Sequence, residues 1–273
     1  GLARPRRRRS APGHPGRPLA GSDAPNALWT ADFKGQFKLG TGAYCYPLTV
    51  IDGYSRYLLA CQGLASPATG GSRFVFEGLF RTDGLPNRIR TDNGAPFATC
   101  ALGRLSALSV WWIKLGICPE LIQPAHPEQN GRHERLHRTL KAEATRPPGA
   151  TLRGQQRRSD HFQREYNDDR PHEVLAQVPP ARHYVPSPRP YPRTLPGLEY
   201  PRHFETRYVS INGGVRWHKR WVNVSHVLAE EFIGLEEVAD GVWSVYFGPL
   251  LLGRLDERDY RVHGQHNRHR LPR

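Results

Sequence analysis

Eight prolines crowd the 25 positions from 178 to 202, and neither a helix nor a central strand can run through such a stretch. The chain is thereby split into two segments of different texture. Before the prolines, Leu28–Phe33, Tyr44–Ile51 and Arg56–Cys61 read as strands, the last two joined by a tight Asp52-Gly53-Tyr54-Ser55 turn. Helical spacing follows over 72–82, closed by Asp83-Gly84 and Pro86, then a strand at Arg88–Thr91, a helix over 99–115 and a short strand at Glu120–Gln123. Two further helices are expected, one from near Asn130 and one over roughly 155–167. Three strands in a meander followed by alternating helices and strands predict an α/β fold with a mixed sheet and flanking helices. After the prolines, residues 204–262 alternate in short strands with turns at Asn212-Gly213-Gly214 and Asp240-Gly241, which predicts a small all-β barrel. The expected divisions are a basic flexible arm over 1–27, an α/β core over 28–177, a proline-rich linker over 178–203, the barrel over 204–262 and a basic tail over 263–273.

Charge narrows the partner. Lys and Arg number 39 against 25 Asp and Glu, a formal net charge of +14. Six arginines (Arg4, Arg6, Arg7, Arg8, Arg9 and Arg17) lie in the first 20 residues, yet +8 remains on the rest of the chain. Basicity spread in this way points to a polyanion, with double-stranded DNA or another nucleic acid first in order. No apolar run approaches the roughly 20 residues that span a bilayer, so no membrane partner is expected. The four cysteines (Cys45, Cys61, Cys100, Cys118) fit neither a CxxC zinc site nor a disulfide framework, which makes a reducing cytoplasm the expected location.

Three acids stand where structure would expose them. Asp32 falls on the polar side of the first strand, Asp92 at the carboxyl end of the fourth, and Glu134 one turn into the helix opened by Asn130-Gly131. Sites in open sheets gather at strand ends. With the first and fourth strands as neighbours, Asp32 and Asp92 project to one place, and a helix beside them can add Glu134. Convergent carboxylates are hard oxygen ligands of the kind Mg²⁺ and Mn²⁺ prefer. Each acid alone also has a plain reading, Asp32 as a surface residue, Asp92 as a turn-former and Glu134 as a helix N-terminal charge.

Trp29-Thr30-Ala31-Asp32, Thr91-Asp92-Asn93-Gly94 and Pro127-Glu128-Gln129-Asn130-Gly131-Arg132-His133-Glu134, with Arg138-Thr139-Leu140-Lys141, resemble the catalytic core of retroviral-type integrases. More closely, the chain resembles a bacterial insertion-sequence transposase of the DDE class. Tyr166-Asn167, Arg170-Pro171-His172, Pro180 and Tyr184 are similar to the end of that core, so the likeness covers about 26–185. It implies a ribonuclease H-like fold and a polynucleotidyl transferase that nicks DNA and then transfers the freed 3′ end by in-line phosphoryl transfer. It further implies two divalent ions, Mg²⁺ or Mn²⁺, on Asp32, Asp92 and Glu134. Element ends and target DNA would be the substrates, with a homo-oligomer at synapsis and a nucleoid-associated place in the cytoplasm. In such transposases a helix-turn-helix precedes the core, and residues 1–27 cannot form one, so the chain is expected to be a fragment.

Other residues compete for roles. Thirty-five residues separate Glu128 from Asp92 and 41 separate Glu134 from it; the Asn130-Gly131 pair fixes the register in favour of Glu134. Asp52 reads as a turn acid. Arg138 and Lys141 share a helix face with Glu134 and are candidates for holding phosphates, or are solvated charges. His133 and His137 flank the same helix as DNA-contacting or structural residues. Asn93 could orient the leaving strand or cap a turn. Lys219 and Arg220, between Trp217 and Trp221, suit a DNA backbone, unless both tryptophans are core. Two alternatives stand beside the transposase: a catalytically silent DNA-binding descendant, and a nuclease of the same fold.

Overall fold

The computed structural model describes residues 21–123, 129 and 131–264. Strands β1 (Trp29–Phe33), β2 (Phe37–Lys38), β3 (Tyr44–Asp52) and β4 (Leu58–Leu64) come first, then α1 (Thr69–Asp83), β5 (Arg88–Thr91), α2 (Ala107–Lys114) and β6 (Cys118–Leu121). Helices α3 (Gly131–Glu143) and α4 (Leu152–Arg164) complete this part, α4 running into one π-helical turn over Glu165–Asp169. Across the sheet the order is β4-β3-β1-β5-β6, with β2 pairing the start of β3. β3 runs antiparallel to β1 and β4, whereas β1, β5 and β6 are parallel.

Period-two alternation decides which helices cover which face. Trp29, Ala31, Leu48, Val50 and Ile89 point to α1 and α2, where Phe76, Phe80, Trp111 and Trp112 fill an aromatic core. Ile51, Leu58 and Cys61 meet Leu136, Leu140, Phe162 and Tyr166 of the α3–α4 layer. Thr30 and Asp32, interleaved with Trp29 and Ala31, belong to this second face.

The expected elements shift at their ends for local reasons. The helix expected over 99–115 begins only at Ala107, because Gly103 and Arg104 take positive φ (66° and 58°) and Ser106 then caps the helix reciprocally with Ser109. The expected 155–167 helix starts earlier, at Leu152, where Thr151 accepts from the Gly154 N–H. Asp52 is fully buried; its carboxylate accepts from the Asn26 and Ser55 N–H groups and from the Ser55 hydroxyl, so it builds the β3–β4 turn.

The proline-rich stretch departs from expectation most. Its composition predicts an unpacked linker, but the chain lies on the sheet domain as a strap. Tyr184 stacks on Tyr57 at 4.4 Å. Ser187 donates to the Leu85 carbonyl, and the Arg189 guanidinium donates to the carbonyls of Pro86, Leu115 and Gly116. Gly84 sits beneath at φ 75°, where a Cβ would meet the Ser187 carbonyl oxygen at 2.6 Å. Proline excludes ladder pairing but not side-chain anchoring, and here side chains supply the contacts.

The remaining strands are β7 (Glu205–Tyr208), β8 (Gly214–Trp217), β9 (Arg220–Asn223), β10 (Phe232–Ala239), β11 (Val242–Phe247), β12 (Leu250–Asp256) and β13 (Arg261–Gly264). Five make an antiparallel sheet, β13-β12-β11-β10-β7, and β8-β9 form a separate hairpin. The ladder does not close among the described residues; β8 lies beside β7 and β9 beside β13 across the open side. Trp217 is core, and its indole N–H and that of Trp243 both donate to Glu257 Oε1 at 2.9 and 2.8 Å. Leu105, Val110 and Ile113 pack into this second core. Among the described residues, no helix is long and apolar enough to cross a membrane.

If Arg189 pins the strap, Arg189→Ala will accelerate tryptic cleavage after Arg182 and Arg193 roughly tenfold or more, given about 1.5–3 kcal/mol for hydrogen bonds to a charged group. Equal cleavage rates in the two proteins would show that Arg189 carries no such load.

Candidate functional site

The parallel pairing of β1 with β5 sets Ala31 opposite Thr91. The next residue on each strand is an acid, so Asp32 and Asp92 stand at neighbouring carboxyl ends, both partly buried. The Gly94 N–H donates to Asp92 Oδ1 at 3.2 Å, and burial raises the Asp92 pKa against that bond. Asn93 ties this turn to the end of β6 by donating its amide to the Ile122 carbonyl at 2.8 Å. Its amide therefore serves as a turn tether.

Helix α3 lies over β1 and β3 on one face. His133, Leu136, His137 and Leu140 recur at i, i+3, i+4 and i+7 and turn inward, His133 being only 1% exposed. Glu134, Arg138 and Lys141 occupy the outer side and are exposed. Thr49 Oγ1 donates to the Asp32 carbonyl at 3.1 Å and lies 3.1 Å from His133 Nδ1 and 2.8 Å from His137 Nε2; Thr30 Oγ1 is 2.9 Å from His133 Nε2. One assignment satisfies every group. Both imidazoles donate to Thr49, and Thr30 donates to His133 Nε2.

That assignment leaves the His137 Nδ1 lone pair facing Asp32 Oδ2 across 4.0 Å. Burial, with Lys34 nearby, lowers the His137 pKa to about 4. Asp32, His133 and His137 each present a ligand atom within 4.8 Å of the others. His133, however, has both nitrogens committed to hydroxyls, which leaves His137 Nδ1 as the imidazole nitrogen turned toward Asp32.

Asp92 and Glu134 stand outside this close group of described residues. Glu128 lies outside the described residues, as do residues 1–20 of the arm and all but the first two residues of the basic tail. Lys219 and Arg220 are exposed on the β8–β9 hairpin, Arg220 over the Tyr260 ring at 4.6 Å; they belong to the C-terminal strands, not to the acid site. Sequence reasoning missed the threonine–histidine network, although the inward i, i+4 histidines were its available signal. It also missed Lys34, whose pKa is lowered by burial and by Lys141 and Arg146, which sets a cation beside α3.

The sequence matches the integrase core domain family over residues 22–127 and again over 115–180. It is 30% identical over 182 residues to the insertion element IS476 uncharacterized 39.2 kDa protein of Xanthomonas euvesicatoria, covering 66% of this chain and 50% of that protein. It is 27% identical over 167 residues to the insertion element IS407 uncharacterized 31.7 kDa protein of Burkholderia multivorans, covering 60% and 57%. The chain thus spans about half the length of the curated relatives it matches. A simian T-cell lymphotropic virus intasome, solved with PP2A regulatory subunit B56 gamma, superposes with a TM-score of 0.51 at 16% identity, over 85% of this chain and 80% of that one. The fold is therefore the ribonuclease H-like one of integrase catalytic cores. With adjoining matches that together run from residue 22 to 180, more than half of its length, the chain belongs to the integrase core domain family.

Proposed function

We propose that the chain nicks DNA at an element end and joins the freed 3′ end to a target by in-line phosphoryl transfer, with Asp32, Asp92 and Glu134 as the catalytic carboxylates. The observation that carries this reading is the β1–β5 register, which sets two acids at adjacent strand ends beneath the helix bearing the third. The donor set fits a divalent cation, since the acids offer carboxylate oxygens and an imidazole nitrogen, His137 Nδ1, lies 4.0 Å from Asp32 Oδ2. Two Mg²⁺ or Mn²⁺ ions held there would lower the pKa of the attacking hydroxyl and offset charge on the departing 3′ oxygen.

The protein's own groups then position and screen. Thr49, itself bonded to His137, holds the Asp32 backbone carbonyl, and the Gly94 N–H holds Asp92. Arg138 and Lys141, four and seven residues beyond Glu134, present cations to the phosphates flanking the reacting one. No protein nucleophile is required, because water and then the 3′ hydroxyl serve in turn. We assign residues 28–177 to catalysis and 204–262 to a barrel-like DNA platform carrying Lys219 and Arg220. Duplex DNA is the partner, a homo-oligomer forms when two ends are synapsed, and the cytoplasmic nucleoid is the place of action.

The discriminating substitutions concern two glutamates. Glu134→Gln, Asp32→Asn and Asp92→Asn are each expected to lower nicking and strand transfer by several orders of magnitude, with little further loss in double variants. Glu128→Gln should cost little. Should Glu128→Gln abolish strand transfer while Glu134→Gln spares it, the third carboxylate is Glu128.

Activity is expected with Mg²⁺ or Mn²⁺ and not with Ca²⁺, whose longer, looser coordination misplaces the nucleophile. Robust nicking in EDTA would refute the metal-dependent reading.

Duplex binding should weaken steeply with salt. For about six neutralised phosphates the log–log slope is near −5, and removing residues 1–20 should flatten it without ending nicking. A filter-binding titration indifferent to salt would count against DNA as the partner.

A further inference from the structure

A second concentration of positive charge flanks α3 on the side turned away from Glu134. A cleft of about 780 Å³ is lined there by Arg56, Arg135, Arg170 and His172, together with Gly131 at the start of α3 and one acid, Glu173. Arg135 follows Glu134 by one residue, about 100° around the helix, so the two side chains leave opposite flanks of one exposed ridge.

Little in the fold answers these cations. Among the described residues neither Arg56 nor Arg135 forms an ion pair, and Arg170 alone is paired, to Glu143. Asp52, close to Arg56 in sequence, has its oxygens taken by Asn26 and Ser55. Arg56 Nη1 and His172 Nε2 are buried without a hydrogen-bond partner. Unpaired buried donors are costly, and structures seldom retain them without a ligand to meet them. The groups also sense one another. Burial, then Arg170 and Arg56, holds His172 below the usual imidazole value, and burial with Arg135 lowers Arg56.

We propose that this cleft seats one backbone phosphodiester of duplex DNA, gripped by Arg56 and Arg135 with Arg170 behind them. The inference rests on the proposed DNA activity and adds a second anchor for the same strand. Its size, many times that of a free oxyanion, and its open position beside the catalytic helix favour a polymer backbone over a small anion. Bidentate guanidinium–phosphate geometry suits the arginines. Side chains about 100° apart on a helix about 10 Å across are separated by about 8 Å, so the seated phosphate lies about two to three nucleotides from the scissile one at about 3.4 Å per residue of strand.

The test uses the full chain and duplexes carrying a single neutral methylphosphonate at successive positions around the mapped nick. One position about two to three nucleotides from the nick should weaken wild-type binding about tenfold. Arg135→Gln, at an exposed position that folding does not depend on, should weaken binding to the natural duplex roughly tenfold and make the salt slope shallower by about one. It should also be insensitive to the methylphosphonate at that position. Unchanged affinity and slope for Arg135→Gln, or losses that simply multiply when variant and methylphosphonate are combined, would overturn the cleft assignment while nicking and overall DNA binding stand. A wild-type chain that neither binds nor nicks DNA would overturn both readings.

Discussion

The imidazole of His133 is wedged between α3 and the sheet, its nitrogens meeting hydroxyls on two adjacent strands, Thr30 of β1 and Thr49 of β3. Helix α3 is otherwise polar, with Leu136 and Leu140 as its main apolar anchors. Two leucines tolerate rotation of a helix; a buried imidazole between two buried hydroxyls does not. Turning α3 by one residue, about 100°, would leave these groups unsatisfied at about 1–3 kcal/mol each. Thr49 also serves His137 and the Asp32 carbonyl, so one hydroxyl fixes the helix and the acid beneath it together. The placement of Glu134 on the outer flank follows from that lock.

The same lock explains what could be read from the amino-acid sequence and what could not. Asp32 and Asp92 are legible because strand alternation and turn chemistry are local, and parallel neighbours bring equivalent positions together. The helix that carries Glu134 is legible from Asn130-Gly131, and it runs from Gly131. The threonines are not. Thr30 and Thr49 look like ordinary strand residues until β3 folds back beside β1, because their function depends on a helix some 80 to 100 residues away. The strap over 178–203 was hidden for the opposite reason. Its prolines report truthfully that no ladder forms, but they say nothing of side chains such as Tyr184 and Arg189 that reach back to Tyr57, Pro86 and Leu115. The late start of α2 turned on positive φ at Gly103 and Arg104, which helical periodicity does not register.

Charge follows the three faces of α3. The inward-facing His137 is kept neutral by burial, one outer flank mixes Glu134 with Arg138 and Lys141, and another presents Arg135 toward Arg56 and Arg170. The fixed rotation of α3 thus sets Glu134 and Arg135, neighbours in sequence, on flanks about 100° apart.

Helix α2 extends this logic to the C-terminal strands. Leu108, Trp111 and Trp112 enter the aromatic core under the first sheet, while Val110 and Ile113, with Leu105 just before the helix, enter the core of the second. A helix of eight residues therefore contributes to two cores at once. Lys114, at the end of the helix, pairs with Glu231 at 2.6 Å on the far side of the junction. Gly103 approaches so closely that a Cβ there would meet Leu252 at 2.9 Å. An interface made of shared apolar side chains resists sliding, since each side chain that leaves one core opens a cavity there. Arg189, bonded to the carbonyls of Leu115 and Gly116, closes the same junction from the strap. The hairpin bearing Lys219 and Arg220 is thus held at a fixed separation from Asp32 and Asp92. That spacing is set by the packing of α2 rather than by a flexible tether.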